Sequence, residues 1–273
     1  RSAYVVSQKD GRPAYGGTPS DETVIQAIQL LKARGYQVTL TPFILMDVPE
    51  GNGLADPYTG TVPQPAYPWR GRITVDPAPG RAGTPDKTAA AIAQIDAVTG
   101  SALPVHFSIA SDAVTYSGPA EWSLRRLVLH YAHLAQLAGG VDAFLIGTEL
   151  RGLTWVRSGP SIYPFVDRLV ALAADVKSVV GPQTKVVYAA DWSEFFGHQP
   201  ADGTGDVHFH LDPLWACPWI DAIGIDLYWP LSDWRDGASH LDKIAGARSI
   251  YDLDYLKSNI AGGEGYDWFY ASQ

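Results

Sequence analysis

The chain has 273 residues, 20 Lys+Arg against 29 Asp+Glu for a formal charge of −9, and 46% hydrophobic residues, enough for one large α/β domain or two small ones. An acidic balance without a block of basic residues argues against nucleic acid as a partner, because that affinity rests on clustered Lys and Arg. The single Cys217 excludes an internal disulfide, and no run approaches the roughly 18 to 20 apolar residues of a membrane span.

The opening RSAYVVSQKDGRP is too short in apolar residues for a signal peptide and holds one weak strand candidate at residues 3 to 7. From Thr18 to Gly35 the helix grammar is complete: Thr18 as N-cap, Pro19 at the first position, Asp21 three residues on, and Gly35 at the stop. Val24, Ala27, Ile28 and Leu31 would form its buried face. YQVTLTPFIL, residues 36 to 45, then reads as a strand. The following loop, 47 to 83, carries seven prolines and is too long for a plain connector, so it is expected to line a cleft as an ordered excursion.

The alternation recurs. A helix over 84–99 precedes a strand at 105–110, and one over 119–138 precedes DAFLIG at 142–147. A helix over 163–180 precedes KVVYAA at 185–190, and a short helical piece near 212–217 precedes DAIGIDLYW at 221–229. Beyond residue 237 the sequence supports a helix around 250–260 and a Gly- and aromatic-rich tail.

Apolar strands alternating with amphipathic helices describe a parallel sheet covered by helices. A doubly wound sheet and a (β/α) barrel both fit. Carboxylates after successive strands favour the TIM-barrel type: Asp47, Asp112, Glu149, and Asp191 with Glu194, together with Asp226 in the last strand, would converge at the C-terminal face. No GxGxxG or GxxxxGK[ST] loop follows a strand, which removes the usual reason for a nucleotide-binding sheet. A closed barrel needs eight strands, whereas five or six are legible here. The expected fold is α/β, an incomplete parallel barrel forming one domain over 1–273, with apolar strand edges exposed at its seam.

Glu149, in FLIGTEL, is the first candidate for chemistry, since glycoside hydrolysis needs a proton-donating carboxyl near a second carboxylate. Asp191 and Trp192 in AADWSEF, and Asp226, Tyr228 and Trp229 in GIDLYW, resemble a sugar subsite in which a ring stacks on the pyranose and carboxylates accept hydroxyl hydrogen bonds. Glu149, Asp191, Asp226 and Tyr228 are expected to face one cleft. Glu194 is a further carboxylate in the same run, and Trp69 reads as structural. His208 and His210, beside Asp206, have the alternation of a weak metal site, but without HExxH or CxxC the reading is no metal and no cofactor. A serine nucleophile has no GxSxG elbow to carry it.

These residues also carry a resemblance. GGTPSDETVIQAIQLLKARGYQVTLTPFILMDVP, YPWRGRITVDPAPG, SGPAEWSLRRLVLHYAHLA, VDAFLIGTELRGLT, YAADWSEFFGHQPADGTGDVHFHLDPLWA, IDAIGIDLYWPLSDWRDG and NIAGGEGYDWFYAS together resemble the glycoside-hydrolase TIM-barrel-like domain of tail-hub proteins from gene transfer agents and related phages. The resemblance implies a barrel like that of retaining glycosidases, with the acid/base Glu, here Glu149, at the end of the fourth strand. Such glycosidases usually have Asn before that Glu, where this chain has Thr148. It also implies a strand before the first helix and a nucleophile-bearing seventh strand beyond Ser272, so that the chain would be a segment of a larger barrel. The implied partners are a cell-envelope polysaccharide and other tail or baseplate proteins, in a particle tail assembled in the cytoplasm. A non-catalytic structural or glycan-binding barrel stays open as the alternative.

Overall fold

Four parallel strands form the sheet that positions the candidate site. In chain order, β1 (Ser7–Lys9) and β2 (Arg12–Ala14) are an antiparallel pair, followed by β3 (Thr39–Leu40), β4 (Phe107–Ala110), β5 (Ala113–Tyr116), β6 (Ala143–Thr148), β7 (Lys185–Asp191) and β8 (Ala222–Asp226). The parallel sheet has the order β3-β6-β7-β8. The structure, a computed structural model, describes the backbone of residues 7–9 and 12–14 and, in full, residues 18–110, 112–228, 231–232 and 234–260. Most of the weak strand candidate at 3 to 7 lies outside the described residues. The chain divides into two units, Arg1–Asp226 and Leu227–Gln273.

The first unit holds α1 (Asp21–Ala33), α2 (Ala90–Thr99), α3 (Leu124–Leu137), α4 (Arg151–Thr154), α5 (Pro164–Val180) and α6 (Asp212–Trp215). The cap of α1 is Ser20 and not Thr18: Ser20 Oγ accepts the Thr23 N–H at 3.3 Å, the reach an N-cap hydroxyl needs. Its buried face is limited to Val24 and Ile28, while Leu31 is exposed. Helix α2 starts later than Thr84-Pro85 suggested, because Lys87 takes φ +66°, which interrupts any right-handed helix. It still stops at Gly100, where φ is +79° and a Cβ would meet Ser123 Cβ at 2.2 Å. Ser123 caps α3 by accepting the Arg126 N–H at 3.2 Å.

The core lies between these helices and the two central strands. Val128, Leu129 and Ala132 of α3 and Phe165, Leu169, Leu172 and Val176 of α5 are buried with Phe144 and Ile146 of β6 and Val186, Tyr188 and Ala190 of β7. Each fully buried large aliphatic side chain contributes roughly 1.5 to 3 kcal/mol through the hydrophobic effect.

Two strand expectations need correction. The run at 36 to 45 yields only Thr39–Leu40, because Pro42 lacks the N–H that a longer ladder requires; Phe43 and Leu45 are exposed. The strand at 105 to 110 does not join the parallel sheet: β4 pairs antiparallel with β5, Ala110 opposite Ala113. Asp112, in the two-residue connection, has φ +61°, a conformation Asp tolerates in a tight hairpin turn. It is therefore a turn residue and not a strand-end carboxylate of the sheet. With β4 diverted, β3 pairs directly with β6.

The sheet is open, with β3 and β8 as its outer strands among the described residues. On β8, Ile223 is 60% exposed and Ile225 42%. In the second unit, α7 (Leu241–Ile244) is followed by α8 (Leu253–Asn259), capped by Asp252, whose Oδ1 accepts the Asp254 N–H at 3.1 Å. Among the described residues no helix is long and apolar enough to cross a membrane.

Candidate functional site

Glu149 follows the last residue of β6 directly and is 4% exposed. Its backbone turns left-handed, φ +51°, a conformation that costs a non-glycine residue of order 1 to 2 kcal/mol. The turn lets its N–H donate to Ala189 O of β7 at 2.8 Å. Two donors engage its carboxylate: Trp69 Nε1–H and Arg70 Nη2 each lie 2.7 Å from Oε2.

Both donors come from the proline-rich loop. Arg70 opens a short 3-10 turn, Arg70–Arg72, and is 8% exposed. Its Nε also donates to Thr148 O at 2.9 Å and Thr148 Oγ1 at 2.8 Å, and its guanidinium lies over the Phe43 ring at 3.9 Å. Thr148, which stands where the resembled glycosidases have Asn, is thus an acceptor for the loop arginine. The loop lies close because two glycines admit it. A Cβ on Gly71 would meet the Trp69 ring at 2.3 Å, and one on Gly152 would meet Ile73 O at 2.5 Å. Buried Asp56 holds the outer part of the loop, accepting from Tyr58 N–H at 2.9 Å and from Arg72 at 3.1 Å.

Asp191 ends β7 and lies in register with Asp226, which ends β8. Asp191 Oδ1 accepts from Ser193 N–H at 3.0 Å and from the Ser193 hydroxyl, and Arg151 Nη1 stands 4.0 Å away. The Asp226 carboxyl is pushed above the usual range, first by burial and then by the charge of Glu149, with Arg70 opposing and Asp191 adding. Glu149, Asp191 and Asp226 therefore share one electrostatic neighbourhood at the C-terminal ends of three adjacent parallel strands, around the guanidinium of Arg70.

Trp192 stands beside them, 57% exposed, its backbone N–H donating to Asp226 O at 3.1 Å. A broad, accessible indole next to carboxylates is a suitable platform for a sugar ring. Tyr228 is 81% exposed and belongs to the second unit, while Trp229 lies outside the described residues.

A second cluster forms where the chain between β7 and α6 meets the N-terminal turn of α5. His198 and His208 exchange both backbone hydrogen bonds at 2.9 Å. Their rings, with that of His210, surround Tyr163, whose hydroxyl is 3.0 Å from His198 Nδ1. Burial lowers the His198 pKa to about 3 and that of His210 to about 4. An open cavity of about 440 Å³ adjoins this cluster, lined in part by Ile162, Tyr163, His208 and Phe209. Among the described residues no group of three or more His, Cys, Asp or Glu is arranged to hold a metal ion.

Glu149, Asp191 and Asp226 are legible in the sequence from their places at or after strand ends. Trp69 reads there as structural, and Arg70, Thr154 and Tyr188 do not stand out. The available signal was YPWRGR, an arginine-rich step beside a tryptophan inside an otherwise weakly charged, proline-rich loop.

Residues 122–273 match the family model described as the GTA TIM-barrel-like domain, more than half of the chain. The matched region contains Glu149, Asp191 and Asp226, whereas the loop that supplies Trp69 and Arg70 precedes it. No curated protein matches the chain.

Proposed function

The chain belongs to the GTA TIM-barrel-like domain family, and from that premise we propose that it is a glycoside-hydrolase-like module that acts on a cell-envelope polysaccharide as part of a phage-like tail hub. The observation that carries this reading is the grouping of Glu149, Asp191 and Asp226 at neighbouring strand ends, beside the exposed Trp192. That is the face on which barrel enzymes build their sites.

In this reading Glu149 is the general acid/base. It protonates the glycosidic oxygen as the C1–O bond to the leaving sugar breaks and C1 bonds to the nucleophilic carboxylate, then takes a proton from the water that displaces that carboxylate from C1. Asp191 and Asp226 accept hydroxyl hydrogen bonds from the sugar, and Trp192 stacks on its apolar face. Retaining chemistry places the nucleophilic carboxylate roughly 5 to 5.5 Å from the acid/base. We assign no nucleophile among the described residues.

One observation favours a second reading, a barrel that binds glycan without cutting it: Arg70 and Trp69 both hold Oε2 of Glu149 at 2.7 Å, as in a structural ion pair. The test is reducing-end release from peptidoglycan and capsular polysaccharide by the whole protein, with Glu149→Gln alongside. Release by the natural protein and its loss in Glu149→Gln supports the hydrolase. Equal glycan binding with no release by either protein supports the binder, and unchanged release in Glu149→Gln overturns the assignment of Glu149.

A further inference from the structure

Glu194 has no exposed surface, a place where a carboxyl is costly unless its oxygens are satisfied. Three donors satisfy it. Thr154 Oγ1 and the Tyr188 hydroxyl donate to Oε1 at 2.6 and 2.8 Å, and the Asp191 N–H donates to Oε2 at 3.0 Å. The Tyr188 oxygen in turn accepts the N–H of Leu150 at 3.1 Å. One carboxyl thus ties the turn after β6, which carries Glu149, to the end of β7, which carries Asp191.

We infer that Glu194 is a positioning residue of this site, fixing the left-handed turn at Glu149 and the placement of Asp191 through the three hydrogen bonds it accepts. The functional meaning of that role rests on the reading of Glu149 and Asp191 as a glycan site; the bonding itself does not.

Donor direction gives Glu194 this role. A left-handed glutamate persists only where its surroundings hold it, and one of the restraints is the Leu150 N–H on the Tyr188 oxygen. Tyr188 offers lone pairs to Leu150 because its own hydrogen is committed to Glu194. A Gln at this position would break the pattern, since its amide N–H₂ must face either the Asp191 N–H or the two hydroxyls. In the first case two donors oppose each other. In the second, Tyr188 receives both Leu150 and the amide and its own hydrogen has lost its acceptor.

The ionisation of Glu194 adds a readout. Burial, reinforced by the charge of Asp191, raises its pKa to about 7 against the hydrogen bonds that favour the anion. When Glu194 is protonated, Thr154 Oγ1 can accept its hydrogen, because that hydroxyl has other acceptors in Arg151 O at 3.3 Å and His210 Nε2 at 3.4 Å. The titratable and charged groups around Glu194 are Asp191 and Tyr188 directly, His210 through Thr154, and Arg70 beyond Tyr188.

The test follows the Trp69 indole N–H by NMR in the whole protein, identified by its disappearance in Trp69→Phe. The same samples are titrated with soluble peptidoglycan fragments. The expected result is a Trp69 resonance that shifts with pH around a midpoint near 7 in the natural protein. In Glu194→Gln the midpoint vanishes and fragment affinity falls about tenfold, as for other residues that orient a site from behind, with a cooperative thermal transition retained. If Glu194→Gln does not fold, Tyr188→Phe carries the test, because it keeps the ring and removes only the hydroxyl. A Trp69 resonance and an affinity unchanged in the folded variants overturn the inference. A midpoint present in the natural protein and lost in Glu194→Gln, with no fragment binding by either, upholds the positioning role and overturns peptidoglycan as the site's glycan instead.

Discussion

Trp69 donates its indole N–H to Oε2 of Glu149 at 2.7 Å across 80 positions of sequence. The bond closes the proline-rich loop over the end of β6, and Arg70 joins it on the same oxygen. The site is therefore assembled from two parts of the chain, a strand end that offers carboxylates and a loop that brings the cation and the indole.

Removing the cation should be more damaging than removing the pair. Arg70→Met leaves Glu149 buried without its partner, at an expected cost of about 3 to 5 kcal/mol in urea unfolding. Combining it with Glu149→Gln should recover a large part of that loss. Strict additivity of the two single losses in a double-mutant cycle would show that the ion pair is not coupled.

The loop should detach when its close approach is blocked. Gly71→Ala puts a methyl 2.3 Å from the Trp69 ring, so the indole must move off Glu149. The expected outcome is a cost of about 1 to 3 kcal/mol, the range for a buried group that loses its hydrogen bond, with faster proteolysis confined to residues 47–83. Trp69→Phe should weaken the loop less, since it keeps the ring contact. Protection of the loop in Gly71→Ala equal to that of the natural protein would refute this docking.

Acid stability should be governed by two opposed groups of residues. His198 and His210 have folded pKa values of about 3 and about 4, below the ordinary 6.5. Their contribution is complete above pH 6.5 and is lost as the pH falls, toward about 4 for His210 and about 3 for His198. Glu194 acts the other way: its folded value of about 7 exceeds the ordinary 4.5, so its contribution is complete below pH 4.5 and is lost as the pH rises toward 7. Between pH 4.5 and 6.5 His198 and His210, joined by His133, whose pKa burial also lowers, oppose Glu194 and the raised Asp226, each group worth at most about 1.4 kcal/mol per pH unit. Urea midpoints should rise with pH across that window, and more steeply in Glu194→Gln. A slope that flattens in Glu194→Gln would contradict these assignments.

The outer strand should make the protein prone to self-association. Ile223 and Ile225 of β8 are exposed on what is, among the described residues, an outer strand of the sheet, the arrangement that charged residues normally guard. Ile223→Lys is expected to lower light scattering at high protein concentration while leaving the melting temperature within a few degrees, because that side chain buries little. Scattering unaffected by this change would place the association elsewhere.

The sequence by itself determined the local elements and the strand-end carboxylates. Helix stops at Gly100 and Gly181, the strands at β6, β7 and β8, and Glu149, Asp191 and Asp226 just at their ends were all readable, because caps, apolar runs and chain position act over a few residues. Only the tertiary structure decided the rest. Residues 107–110 have strand character in either setting, and it was pairing with 113–116 that made them a hairpin and left β3 beside β6. Trp69 and Arg70 met Glu149, and Glu194 lost all contact with water, through packing between segments 40 to 80 positions apart. Periodicity cannot register such contacts, because burial and hydrogen-bond partnership are properties of the packed chain, whereas propensity is a property of its local sequence.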